Sequence, residues 1–463
     1  MTGWEPAIKD EKITRAFKLK MATKPKIIVL DDDPTGSQTV HSCLLLMQWD
    51  VNTLRLGLAD ESPIFFVLTN TRSLPPDKAA TVTREVCHNL KLALDAEGIE
   101  DFLVVSRSDS TLRGHYPIET DVIAEELGPF DAHFLVPAFF EGGRITRDSV
   151  HYLIIDGVPT PVHETEFARD SVFGYTYSYL PDYVAEKTKG RIPATAVERF
   201  LLTDIRTGKD ITGNISTLER LLHLVGNHCA VVDAETQDDL NRFATDILTA
   251  ADQGKRFLFR SAASLLTALA KLPPQPVPSE EMSQYVRGGK PGAVIVGSHV
   301  KKTTQQLQHL LQETGIVGIE VEVAQLIEDY RPGKLLSETL EKVHAAHNAG
   351  KTPVVYTSRQ ELVCADVQTR LQFGADVSSL LMDIVRGLPS DIGFLISKGG
   401  ITSNDVLSTG LSLTFARLIG QVLAGCSMVL TPSDHPYPNL PVVLFPGNVG
   451  DTDALATVYR RLN

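Results

Sequence analysis

Residues 26–39 read KIIVLDDDPTGSQT. An apolar run, residues 27–30, meets three consecutive carboxylates, Asp31, Asp32 and Asp33, and then Pro34, Thr35 and Gly36. An unbroken apolar run of this length is the mark of a strand buried on both faces of a sheet. Acidic triplets ordinarily lie in solvated loops, yet this one sits directly on the strand's end. Pro34 and the Thr-Gly turn stop the strand there, which would hold the acids at its carboxyl end. Ligands of open parallel sheets bind outside the carboxyl ends of the strands, so the triplet faces the place where a cleft is expected.

The same rhythm continues outward. Short apolar runs (IFFVLTN, FLVVS, HFLVPAF, HYLII, CAVVDA, RFLFR) alternate with longer mixed segments through the first half, and SAASLLTALAKL after the last of them reads as a helix. The segment PPQPVPSEEMSQYVRGGKPG lacks a periodic apolar face and is rich in Pro, Gly and polar residues, as linkers are. Beyond it the alternation restarts with AVIVGSHVKKTTQQ, PVVYTS, IGFLISKGGITSND and PVVLFPGNVGDTD. The expected fold is two α/β domains with mainly parallel sheets flanked by helices, joined by a Pro/Gly-containing linker. The divisions fall at an N-terminal extension 1–24, a first domain 25–272, the linker 273–290 and a second domain 291–463.

At 463 residues the chain is too long for one ordinary core. A charged fraction of 22% and a hydrophobic fraction of 43% are those of a globular chain. A net charge of −13 argues against a nucleic-acid partner. No apolar stretch approaches the roughly 20 residues of a spanning helix, and the N-terminus lacks the apolar core of a signal peptide. Five scattered cysteines without a C-x-x-C pair argue against a disulfide framework or zinc site. The expectation is a cytoplasmic protein with a small-molecule ligand, with no membrane or nucleic-acid partner and with a homodimer left open.

Three further polar clusters follow apolar runs: TNTRSL with Arg72, SRSDSTLRGHY with Arg107, Asp109, Ser110, Arg113 and His115, and PAFFEGGRITRD with Glu141 and Arg144. Guanidinium groups hold carboxylate or phosphate through paired hydrogen bonds, and an aspartate beside them can accept a proton from a hydroxyl. That mixture suits a small hydroxylated acid. Helix capping is the competing reading for Asp109 and Ser110. In the second half three glycine turns, VGSHVKKTTQQ, SKGGITSND and FPGNVGDTD, lie between an apolar run and a helix. Glycine lets backbone N–H groups approach an anion, which favours a phosphate or nucleotide site. None fits the P-loop or G-x-G-x-x-G patterns, so a P-loop enzyme and a nicotinamide dehydrogenase are disfavoured.

Taken together these motifs resemble the four-carbon acid sugar kinase family over about residues 25–455. DDPTG is similar to the family's DDLTG, RSDSTLRG to its K-x-DSTLRG, and ETEFARD (164–170) recurs; GSHVKKTTQQ, GGITS and FPGNVG are similar to its GSCS, GGDTS and KSGNFG stretches. The resemblance implies a sugar-acid-binding first domain, an ATP-binding second domain with Mg2+, and γ-phosphoryl transfer to a hydroxyl of a four-carbon sugar acid. It implies catalytic roles for Asp32 and Asp33, one or both accepting from the hydroxyl. Substrate contacts would come from Thr35, Gly36, Arg72, Arg107, Asp109, Ser110, Arg113 and Arg144. Nucleotide contacts would come from Ser298, Gly399, Gly400, Ile401, Thr402, Gly447 and Asn448, and the metal ligands stay unassigned. Closure of the two domains about the linker would exclude water. This chain departs from the family at Phe445 (Lys), Pro446 (Ser) and Ile401 (an acid), and Asp31 is an extra acid. Lys398 either supplies charge from a neighbouring loop or projects into solvent. His41, His115 and His299 read as ordinary loop residues and His133 as structural. A non-catalytic sugar-acid or nucleotide sensor on the same fold is the alternative.

Overall fold

The computed structural model describes residues 25–463 apart from 211, 212, 214, 299, 329–331 and 360–366. The extension 1–24, His299 and Cys364 lie outside the described residues. The first part of the chain supplies strands β1 (Lys26–Asp31), β2 (Cys43–Leu46), β3 (Ile64–Leu68), β4 (Phe102–Arg107), β5 (Ala132–Val136), β6 (Arg144–Arg147), β7 (Val150–Ile155), β8 (Val158–Pro161), β9 (Glu198–Phe200), β10 (His228–Val232) and β11 (Phe257–Ser261). The second part supplies β12 (Ala293–Val296), β13 (Ile316–Val321), β14 (Thr352–Thr357), β15 (Leu395–Lys398), β16 (Phe415–Leu423), β17 (Cys426–Leu430) and β18 (Pro441–Phe445).

The expected α/β architecture is present, with an addition that the apolar runs did not show. Among the described residues, fifteen strands form one sheet in the order β13-β14-β12-β15-β18-β17-β16-β2-β3-β1-β4-β11-β5-β10-β9. Each half is parallel, and they are stitched by an antiparallel seam in which β16 pairs with β2 and β17, and β17 with β18. The run HYLII, read as part of the βα alternation, instead forms β7 of a separate antiparallel sheet β6-β7-β8. β1 is covered on both faces by helices such as Pro76–Glu97, which starts with Pro in its first turn, buries Ala79, Thr83, Val86, Cys87, Leu90 and Leu94, and stops at left-handed Gly98. No helix among the described residues is long and apolar enough to cross a membrane.

The seam reverses strand direction, so on a flat sheet the carboxyl ends of β1 and β15 would point to opposite edges. A sheet twists by about 20–25° per strand, and six steps separate the two strands, giving roughly 120–150°. That rotation brings the two carboxyl ends to within roughly 30–60° of one direction.

The segment between the halves is not a free tether. The Gln275 amide donates to the Gln421 carbonyl at 3.0 Å and accepts from the Gln421 N–H at 2.7 Å. Ser279 Oγ also donates to that carbonyl, at 2.8 Å, and Met282 is fully buried. Gly420, at φ +144° beside an irregularity in β16, makes the room: a Cβ there would lie 2.4 Å from the Gln275 side chain. Swinging about this segment would break those bonds, and parting the halves would break the β2–β16 pairing.

Candidate active site

The acidic triplet divides into three environments because successive side chains at a strand end point in different directions. Asp31 turns inward and is wholly buried. Its carboxylate lies against Gly36, where a Cβ would come within 2.1 Å of it, so only glycine fits that turn. Burial pushes the Asp31 carboxyl up to about 8, only partly offset by Arg107, whose Nη1 is 3.5 Å away. Its Oδ2 has no hydrogen-bond partner among the described residues.

Asp32 is also buried, but paired. Arg72 donates to both its oxygens, through Nε at 3.1 Å and through Nη2, and Ser108 Oγ donates at 2.8 Å. Asp33 alone opens toward the cleft, its side chain 21% exposed. Its Oδ1 accepts from the Thr35 N–H at 2.8 Å and from the Thr35 hydroxyl. Oδ2 stands 3.4 Å from Arg72 Nη1. Burial alone would raise this carboxyl, but Arg72, Arg107 and the Thr35 bonds outweigh it and hold it below the usual carboxylate range.

Arg72 therefore sits among Asp32, Asp33 and Asp109, whose Oδ1 is 3.8 Å away. Asp109 caps no helix. It accepts from the Thr111 N–H at 3.2 Å and from Arg113 Nε at 2.9 Å, and despite burial Arg113 and Arg72 hold it far below its ordinary pKa. Arg113 also lies 3.7 Å from Asp170 and 4.9 Å above the Phe167 ring. Arg107 and Arg144 are engaged differently. Among the described residues Arg107 makes no contact closer than 3.5 Å to a carboxylate and its Nε is unpartnered. Arg144 donates to the Gly142 carbonyl, pairs with no carboxylate among the described residues, and has an unpartnered Nε; burial lowers its pKa.

On the second half, the ends of β12, β15 and β18 meet. A Cβ on Gly399, at φ +118°, would lie 3.0 Å from Ser298 Cβ, one on Gly297 2.4 Å from Thr402 Oγ1, and one on Gly447 3.9 Å from Ser298 Oγ. Ser298, Gly399, Thr402 and Gly447 thus lie together at these strand ends, closely packed at Gly297 and Gly399, with Gly400 following Gly399, a glycine-lined turn of the kind that can bring backbone close to a phosphate. Ile401 and Asn448 are exposed at its rim.

Lys398 does not project into solvent. It is fully buried, its Nζ donates to the Pro446 carbonyl at 2.5 Å and lies 4.1 Å from the Phe445 ring centroid, and burial lowers its pKa to about 7. It sits under the neighbouring FPGNVG turn, its Nζ also 3.3 Å from the Gly447 carbonyl. The sequence reading missed Arg359, whose guanidinium donates to the carbonyls of Thr357 and Ser298 at 2.9 and 2.7 Å and ties β14 to the Ser298 turn. It also missed buried Glu119, raised to about 7 by burial and by Asp32, which accepts from Thr71. Glu119 lies well past the apolar run that ends at Arg107, whereas Arg359 directly follows the run PVVYTS, a signal that could have found it. The histidines bond backbone carbonyls: His115 those of Thr71 and Leu74, His41 that of Pro273, and His133 on β5 that of Asn227.

The two clusters face each other. A Cβ on Gly400 would lie 3.2 Å from Asp33 Oδ2. An acid-and-guanidinium pocket thus abuts a glycine cradle suited to phosphate, the arrangement of a small-molecule phosphotransferase. Residues 27–269 match the model of a sugar-binding N-terminal domain and residues 293–455 that of a nucleotide-binding C-terminal domain. The chain belongs to the four-carbon acid sugar kinase family. It is 24% identical to a D-erythronate kinase of Heliobacterium modesticaldum over 93% of this chain and 95% of that one. It is 30% identical to a D-threonate kinase of Bordetella bronchiseptica over 34% of this chain and 38% of that one. Two solved structures share the fold: a Salmonella typhimurium LT2 protein (TM-score 0.69, 18% identity, 95% of this chain and 99% of that one) and a Haemophilus influenzae protein (TM-score 0.61, 17% identity, 94% and 100%).

Proposed function

We propose that the protein is an ATP-dependent kinase that phosphorylates a hydroxyl of a four-carbon sugar acid of the erythronate, threonate or 3-oxo-tetronate type. The observation that carries this reading is the approach of Asp33, the only one of the triplet open to the cleft, to Gly400 of the nucleotide-side cradle. Acceptor hydroxyl and phosphoryl donor would meet there without further domain movement.

In this reading Asp33 accepts the hydrogen bond of the attacking hydroxyl and takes its proton late. A carboxylate kept ionised is a weak base, which suffices where the transition state is loose and alignment matters most. Asp32 holds Arg72 in place. Arg72 and Arg113 are neutralised by Asp32, Asp33, Asp109 and Asp170, whereas Arg107 and Arg144 retain unused donors, so these two are assigned to the acid's carboxylate. Thr35 fixes the Asp33 carboxylate, and Gly36 lets the turn close over Asp31. Ser298, Gly399, Gly400, Thr402 and Gly447 would hold the ATP phosphates, with Ile401 and Asn448 at the rim. Among the described residues no cluster of three or more His, Cys, Asp or Glu forms a protein cage for a metal. Mg2+ would be held mainly by phosphate oxygens and water, as is usual for this ion, where it would neutralise phosphate charge.

The burial of Lys398 and the apolar Phe445 favour a second reading, a sensor that binds the same ligands without turnover. ADP release measured with D-erythronate, D-threonate and 3-oxo-tetronates, beside calorimetric binding of each, separates the two. Turnover with at least one acid supports the kinase; binding without ADP release overturns it. Asp33→Asn should lower kcat by at least about 100-fold while leaving the acid's binding in place.

A further inference from the structure

We infer that four buried side chains outside the cleft, His151, Tyr175, Tyr183 and Arg260, are positioning residues that fix the loop of residues 109–114 and thereby set its grip on the sugar acid. The inference rests on the proposed function, with Arg107 and Arg144 taking the acid's carboxylate and the joined Asp109 and Arg113 of this loop facing its hydroxyls.

Four successive carbonyls of the loop each accept a hydrogen bond from a different buried side chain. His151 Nε2 donates to the Ser110 carbonyl at 2.7 Å, Tyr175 OH to Thr111 at 2.8 Å, Tyr183 OH to Leu112 at 2.8 Å and Arg260 Nη2 to Arg113 at 2.8 Å. The donors come from β7, from the segment before the helix Leu180–Lys187, from that helix and from β11, so four separate parts of the fold converge on one loop. His151 has its proton in the right place: Nδ1 lies 2.9 Å from the Thr146 hydroxyl, which can donate to it, and burial keeps the ring neutral with a pKa near 4, leaving Nε2 protonated.

The loop needs such holding. Leu112 has φ +68° and Gly114 φ +120°. A leucine in the left-handed region is strained and persists only where its surroundings over-determine it. Leu112 is 1% exposed and packs with Tyr116, Leu135, Val162, Tyr175 and Tyr183. With its carbonyls fastened inward, the loop presents the joined Asp109 and Arg113 side chains at one fixed place beside Arg72. The four donors hold Ser110, Thr111, Leu112 and Arg113 by their backbone carbonyls, and nothing in the linear motif around residues 109–114 points to them.

Tyr175→Phe and Tyr183→Phe, singly and together, test this while preserving shape. The expected result is a rise of roughly tenfold or more in KM for the sugar acid, the order that small misplacements of binding groups cause, with the nucleotide KM within about twofold. The double variant should be at most about twofold worse than the worse single, because contacting residues that hold one unit are not additive; their ring centroids are 5.7 Å apart. A drop in melting temperature with an unchanged sugar-acid KM, or equal changes in both KM values, would overturn the inference. If the wild type turns over no four-carbon acid, the kinase reading alone has failed, and the same comparison is made by calorimetric affinity for the acids. If the wild type binds none of them, the inference falls as well.

Discussion

Three adjacent aspartates do three different things, and the difference is burial and partner, not chemistry. Asp32 and Arg72 are an almost dry pair, so Asp32→Asn should lower stability by about 3 kcal/mol, the lower end for breaking a buried pair, since Arg72 keeps Asp33 nearby. Chemical denaturation of that variant beside Asp33→Asn checks it: the Asp33 change, at a part-exposed side chain, should cost less, and equal losses would contradict the division. Asp31 gives a pH effect of opposite sign to that of a salt-bridged acid. Folded, it keeps its proton until about pH 8, whereas unfolded it ionises near pH 4. Between those values the folded state binds the extra proton, so this group makes stability fall as pH rises. Asp31→Asn should flatten that fall, and melting temperatures between pH 5 and 8 read it directly; an undiminished slope would count against it.

At the scale of elements, the site is built from strand ends and the turns that leave them. Pairing aligns Asp31 with Leu68 on one side and Arg107 on the other, and Lys398 with Phe445, so charged groups far apart in the chain share one level of the sheet. The turns then depend on missing side chains. Gly399→Ala combines a left-handed φ with a Cβ 3.0 Å from Ser298 Cβ. It should raise the nucleotide KM roughly tenfold and leave the sugar-acid KM unchanged; the reverse pattern would put the cradle on the wrong ligand. The strand ends were legible because apolar runs stop abruptly at DDDPTG, SRSDST and SKGGIT. Less visible were β2, a strand of four residues, and the β16–β17 pair, since neither follows the βα alternation.

The whole molecule behaves as two parallel half-sheets joined edge to edge. One buried apolar cluster contains Val29 and Phe66 from the first half and Ala416, Leu418 and Val429 from the seam. Arg417 on β16 grips Asp60 through both carboxylate oxygens, at 3.1 and 2.6 Å, and the Gln275 strap runs beside it. Separate unfolding of the halves would open that cluster, so calorimetry should show one endotherm with matching calorimetric and van't Hoff enthalpies. Two resolved endotherms would show that the seam does not couple them.

The sequence by itself determined the α/β class, the positions of the loops that carry the site and the family, because apolar periodicity and short polar motifs are local properties of the chain. It also marked Asp32 and Asp33 without separating them. Only the tertiary structure decided that Asp33 faces the cleft while Asp32 holds Arg72, that Lys398 is buried beneath the neighbouring FPGNVG turn, and that the linker is bonded to β16. Each of those outcomes depends on which strands become neighbours and how far the sheet twists between them, and such long-range pairing is written in no single stretch of residues.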